Sequence, residues 1–124
     1  MKPIFPLILK STIGHILIHA DSIVRVVAED KYARLTYTNG RTELLFHSLS
    51  DIERRLACGT RVGELLFART HRSCIVAMHH ATGLEGRERV LLQGQSAPIS
   101  RENWPMLLRL LGTVRGAKST VRSA

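Results

Sequence analysis

The apolar residues of this chain fall in short windows, each closed by Gly, Asn, Asp or Ser, and that punctuation restricts the fold more than any other property. Ile4 to Lys10 is the first such window. Residues 13–19 follow, where a period of two puts Ile16 and Ile18 on one side and His15, Leu17 and His19 on the other. Asp21-Ser22 forms a turn into a strand over Ile23 to Ala28. Arg34–Thr38 and Thr42–Phe46 flank Asn39-Gly40, a pair suited to a type I′ hairpin turn. The pattern changes at Ser48. Ser50 and Glu53 have capping-box spacing, and Leu49, Ile52 and Leu56 repeat as on one helical face, which predicts a helix over 50–57 ended by Cys58-Gly59. Windows 65–70, 74–78 and 88–92, punctuated by Gly83, Gly86 and Gly94, are strands again. Trp104, Leu107, Leu108 and Leu111 then mark one face of a terminal helix, whose start Pro105 complicates. The expected class is all-β or β-dominated, with short antiparallel sheets and two short helices. No strand–helix–strand alternation and no glycine-rich phosphate loop supports a nucleotide-binding α/β fold.

At 124 residues the chain has room for one core. Residues 1–112 read as the domain and 113–124 as a basic, flexible tail, since no acid follows Glu102 while Arg109, Arg115, Lys118 and Arg122 do. The formal charge is +8, unevenly spread: residues 1–64 carry nine bases against seven acids, residues 65–124 nine against three. Such an excess points to a polyanionic partner bound by the second half. Cys58 and Cys74 lack disulfide-framework or zinc spacing and suit a reducing compartment. The longest uncharged run, Ser73–Leu84, has 12 residues, short of the ~20 a membrane helix needs. No secretory signal precedes the first strand, so the cytoplasm is the expected location.

The titratable residues give little ground for an enzyme or a metalloprotein. His79 and His80, as strand neighbours, would point to opposite faces, and His15, His19 and His71 have no ligand spacing. Ser73 beside His71 is no triad, because triad members meet in space rather than in sequence. Glu29-Asp30 suits a turn and Glu53 a cap or solvated face. Neither a cofactor nor a metal is expected.

The stronger signal is the run Phe67-Ala68-Arg69-Thr70-His71-Arg72-Ser73-Cys74-Ile75-Val76, followed by Pro98-Ile99-Ser100-Arg101. Both clusters interrupt apolar sequence where the chain must reverse. Arginine's planar fork holds a phosphate or a guanine edge bidentately, and His and Ser add shorter hydrogen bonds. Ser100 is placed to cap the terminal helix, leaving free N–H groups beside Arg101.

Together with the Leu49/Ile52/Leu56 helix upstream, these clusters resemble the LytTR DNA-binding domain of bacterial response regulators over about residues 4–111. The resemblance implies a β-rich fold that inserts loops into successive major grooves of duplex DNA. It implies contacts from three places: Lys31, Tyr32 and Arg34; Arg69, His71, Arg72 and Ser73; Ser100, Arg101 and Asn103. Two departures stand out. Ala77 occupies a position where the family commonly has Asn, and no receiver domain precedes the first strand, so control by phosphorylation is not expected. The expectation is a free-standing, sequence-specific transcriptional regulator that binds double-stranded DNA without a cofactor, alone, as a homodimer or beside a partner regulator. In it Lys31, Arg69, Arg109 and the tail neutralise phosphates while His71, Arg72 and Arg101 read bases. The alternative is a protein-interaction module that pairs with a full-length regulator without reading DNA, and its mark would be an apolar patch or a free strand edge. RNA binding is disfavoured by the scarcity of aromatics for base stacking.

Overall fold

The computed structural model describes residues 7–112; the first residues of the predicted opening strand and the tail at 113–124 lie outside them. Eleven strands and two helices follow in chain order: β1 (Leu7–Ser11), β2 (Gly14–Ile18), β3 (Ile23–Glu29), β4 (Tyr32–Tyr37), β5 (Thr42–Leu45), α1 (Leu49–Arg55), β6 (Arg61–Val62), β7 (Leu65–His71), β8 (Cys74–Ala77), β9 (Ala81–Glu85), β10 (Arg89–Leu92), β11 (Gln95–Pro98) and α2 (Trp104–Gly112). They form an antiparallel sheet in the order β2-β1-β5-β4-β3-β8-β7-β6, and a smaller one in the order β11-β10-β9.

The large sheet serves two cores. On one face Ile23, Val26, Leu35, Phe67 and Ile75 pack with Leu49 and Ile52 of α1 and with Leu56 at its C-cap. On the other face of the central strands, Val24, Leu66, Ala68 and Val76 meet Val90 and Ala97 of the small sheet and Leu107 of α2. All four residues of β8 are therefore buried. A strand covered on both sides loses its polar alternation, which is why residues 65–68 and 74–78 read as continuous apolar runs.

Several local expectations change. Gly40 takes a φ of +89°, but Asn39 does not join it in positive φ. Gly40 N–H donates to Tyr37 O at 2.9 Å and Tyr37 N–H to Arg41 O at 2.8 Å, the pattern of a type I turn closed by a glycine bulge instead of a type I′ turn. The N-cap of α1 is Ser48, whose Oγ accepts from Asp51 N–H, so Ser50 and Glu53 are free for other partners. β6, β9 and β11 are additional strands. Met78–His80 is a 3₁₀ turn, so His79 and His80 are not strand neighbours, and their rings lie 4.6 Å apart. Pro105 is accommodated in the first turn of α2, where its missing N–H is not needed. Leu108, expected on the buried face of that helix, is exposed, and Leu110 shares the packing with Trp104, Leu107 and Leu111.

Candidate nucleic-acid interface

Three turns converge at one end of the large sheet. β3 and β4 are joined by Asp30-Lys31, with Asp30 at a φ of +59°. β7 and β8 are joined by Arg72-Ser73. These turns are neighbours because β3 pairs with β8, and Ala28 N–H extends the ladder to Ser73 O at 2.8 Å. The third segment, Ser100–Asn103, is fastened to the second by Thr70. Register shifts between Arg69 and His71, leaving Thr70 without a ladder partner. Its fully buried side chain donates to Pro98 O at 2.8 Å, and its carbonyl accepts from Ser100 N–H at 2.8 Å. The bulge thus uses one residue to dock the entrance of α2 onto the β7–β8 hairpin.

Lys31, Tyr32, Arg72 and Arg101 are exposed, while Arg34, Arg69, His71, Ser73, Ser100 and Asn103 are half-buried. A cleft of about 700 Å³ runs between α1 and the start of α2, lined by Arg69, His71 and Arg72 on one side and Ser100 and Asn103 on the other. Ser100 Oγ accepts from Asn103 N–H at 3.2 Å, capping the 3₁₀ turn Arg101–Asn103 that leads into α2. His71 Nδ1 accepts the backbone N–H of Ser73 at 3.1 Å and lies 2.8 Å from Ser73 Oγ. An N–H can only donate, so the bond pattern puts the neutral ring's proton on Nε2, which makes that atom a donor.

Two arginines are already engaged. Arg34 grips Glu29 through Nε and Nη2, both at 2.9 Å, and this hydrogen-bonded fork holds the Glu29 carboxyl below its ordinary range. Arg69 donates to Glu53 at 2.7 Å and to the Arg72 carbonyl at 2.6 Å. Tyr32 lies against Phe46, ring centroids 5.0 Å apart. Ala77 is fully buried in the core beside α1, and so offers no polar group at its position.

The basic clusters of the sequence do not include Arg87, which the fold brings to the entrance of α2. The β9–β10 turn is tied to the α2 entrance by Ile99 N–H donating to Glu88 O at 2.8 Å, and the Arg87 guanidinium lies 5.9 Å from the Trp104 ring centroid. Gly86, at a φ of +58°, was the signal for that turn, but nothing local indicates what the turn approaches.

Burial pushes the Cys58 thiol up to about 12, far from a thiolate at neutral pH. His71 bonds Ser73, but no carboxylate among the described residues orients the imidazole. No group of three His, Cys, Asp or Glu among the described residues could hold a metal ion. No helix among them is long and apolar enough to cross a membrane.

The domain thus pairs two antiparallel sheets with two short helices and gathers three polar turns at one end. The LytTR family, described as the LytTr DNA-binding domain, matches residues 14–112, and the chain belongs to that family. A similar solved structure is the LytTr DNA-binding domain of a methyl-accepting/DNA response regulator from Bacillus cereus. It matches with a TM-score of 0.69 and 23% identity, over 86% of this chain and 96% of that one. At that identity the likeness speaks for the fold. No curated protein matches the chain.

Proposed function

We propose that this chain is a transcriptional regulator of bacterial type that reads the sequence of duplex DNA in the cytoplasm, with residues 1–112 as the reading domain and the basic stretch 113–124 adding phosphate attraction. The observation that supports this reading is the fastening of three polar turns at one end by two backbone bonds, Ala28 to Ser73 and Ser100 to Thr70. Turns held in fixed relation on a stiff sheet meet a periodic target such as successive grooves without a large ordering cost.

In this reading Lys31 and Arg87 meet phosphates at the flanks, and Arg72, Arg101 and the Nε2–H of His71 address base edges between them. Guanine O6 and N7 are acceptors that suit all three groups. Ser73, Ser100 and Asn103 supply shorter polar contacts, and Tyr32 packs beside the backbone. Arg34 steadies the β3–β4 turn. If about five phosphates are neutralised, log K falls with log salt at a slope near −4.5.

Selection from a random-duplex pool at moderate salt, run beside Arg72→Ala, tests this. The intact chain should enrich a motif and the variant should not. Arg101→Ala should cost roughly 1–3 kcal/mol and relax preference at one position, whereas Lys118→Ala should weaken all duplexes alike. Equal losses on every sequence from both changes would count against base reading.

A second reading, pairing with another regulator, is favoured by β2, the edge strand of the large sheet among the described residues, and by Ile8, Ile13 and Leu17, which are 58%, 78% and 58% exposed around it. That function predicts no enriched motif and a stable complex with a partner protein.

A further inference from the structure

We propose that Arg69 is a positioning residue: its guanidinium is the strut between α1 and the β7–β8 turn, and it sets where Arg72 presents its side chain. The consequence for DNA rests on the reading above, while the strut itself is a property of the free protein.

Arg69 lies on the α1 side of β7 and is 23% exposed. Its Nη1 donates to Glu53 Oε1 at 2.7 Å and to Ser50 Oγ at 3.2 Å, both on α1, and its Nη2 donates to the Arg72 carbonyl at 2.6 Å. Only a planar fork reaches both partners at once; a lysine ammonium would have to choose. The Nε atom is shut off from solvent and has no partner, so the side chain is wedged in place rather than swinging in water. The bond to the Arg72 carbonyl fixes the backbone of the residue at the turn's tip, and with it the direction in which the Arg72 side chain leaves. Loss of Arg69 also leaves the Glu53 charge facing the cleft.

A direct phosphate contact is the competing role. It would require Arg69 to leave Glu53 for another anion, an exchange that gains little and exposes a carboxylate to the phosphates. Charge is therefore already balanced at Arg69 and is displayed by Arg72. The β3–β4 turn repeats the device, since Arg34 grips Glu29 beside Lys31.

The experiment is backbone amide hydrogen exchange on the free chain, with affinity for a duplex recovered by selection and for a scrambled duplex of equal length. The strut predicts that Arg69→Met and Glu53→Gln both speed exchange at residues 71–74 by about tenfold while the amides of β4 and β5 stay unchanged. It also predicts that both variants lower the ratio of selected to scrambled affinity by about tenfold, a coupling ordinary for contacting residues. Arg69→Lys should recover part of the loss. Unchanged exchange at 71–74 overturns the proposal, as does a gain in the ratio from Glu53→Gln. A salt slope shallower by about 0.9 in Arg69→Met at constant ratio would assign Arg69 to a phosphate instead. If the intact chain prefers no duplex, the base-reading assignment falls, and the exchange data still decide the strut. Glu53→Gln, nearly isosteric, keeps the test valid should Arg69→Met unfold.

Discussion

At the scale of the residue, environment decides what each polar group can do. His79 sits half-buried against Phe67, and its Nδ1 accepts from Leu66 N–H at 3.0 Å. Burial, helped by the neighbouring His80, pushes its pKa down to about 4 from an ordinary 6.5. Between those values the unfolded chain binds a proton that the folded chain refuses, so stability falls as pH drops from 6.5 toward 4. Because the ring is only half-buried, solvent screening holds the effect to on the order of 1–2 kcal/mol. Urea denaturation across that range should show the slope in the intact chain and lose most of it in His79→Phe; an unaltered slope would refute the assignment. The residue types of the candidate interface were legible in the sequence, because His71, Arg72, Ser100 and Arg101 stand in two compact clusters. Which arginines already have partners was not. Arg69 meets Glu53 across sixteen positions, a contact set by how α1 lies on the sheet.

At the scale of the element, turn chemistry separates what pattern reveals from what it leaves open. Asn39-Gly40 announced a hairpin, and a hairpin forms there, yet only the hydrogen bonds distinguish a type I turn with a glycine bulge from a type I′ turn. The distinction is measurable. A Cβ on Gly40 would meet nothing within 4 Å, so Gly40→Ala carries only the conformational cost of its φ of +89°, about 1 kcal/mol. Asn39 has no such φ and loses only its bond to Arg41 N–H, so Asn39→Ala should cost less. Denaturant midpoints of the two variants decide, and a larger loss at Asn39 would restore the type I′ assignment. β9 and β11 are not legible in the sequence for a related reason: Gly83 and Pro98 look like breakers, but both are carried in strands of the small sheet. The capping-box spacing of Ser50 and Glu53 points two residues past the true N-cap of α1, Ser48, because both serines lie just ahead of the apolar face and the path of the incoming chain settles which side chain turns back.

At the scale of the whole molecule, the two cores share β3, β7 and β8, so neither is expendable. Leu107 is the fully buried anchor that holds α2 against the small sheet and the back of β7. Leu107→Ala should destabilise by roughly 2–5 kcal/mol. Because α2 begins where Ser100–Asn103 ends, it should also weaken DNA binding at temperatures where the chain is still folded. Urea denaturation and duplex titration at low temperature measure both. A loss under about 1 kcal/mol would mean that α2 packs loosely.

Strands hidden on both sides also have a metrical consequence. Sliding β8 by one residue would exchange Val76 for Ile75 on each face, and sliding by two would carry the Arg72 turn about 7 Å from Ser100. The spacing between the two arginine-bearing turns is therefore a ruler whose divisions are whole pleats, with nothing soft between them. If the chain reads duplex DNA as proposed, a groove spacing that differs from that ruler by about an ångström or two obliges the double helix to bend or twist to meet it, and the stiffness of the untouched base pairs then enters the choice of site.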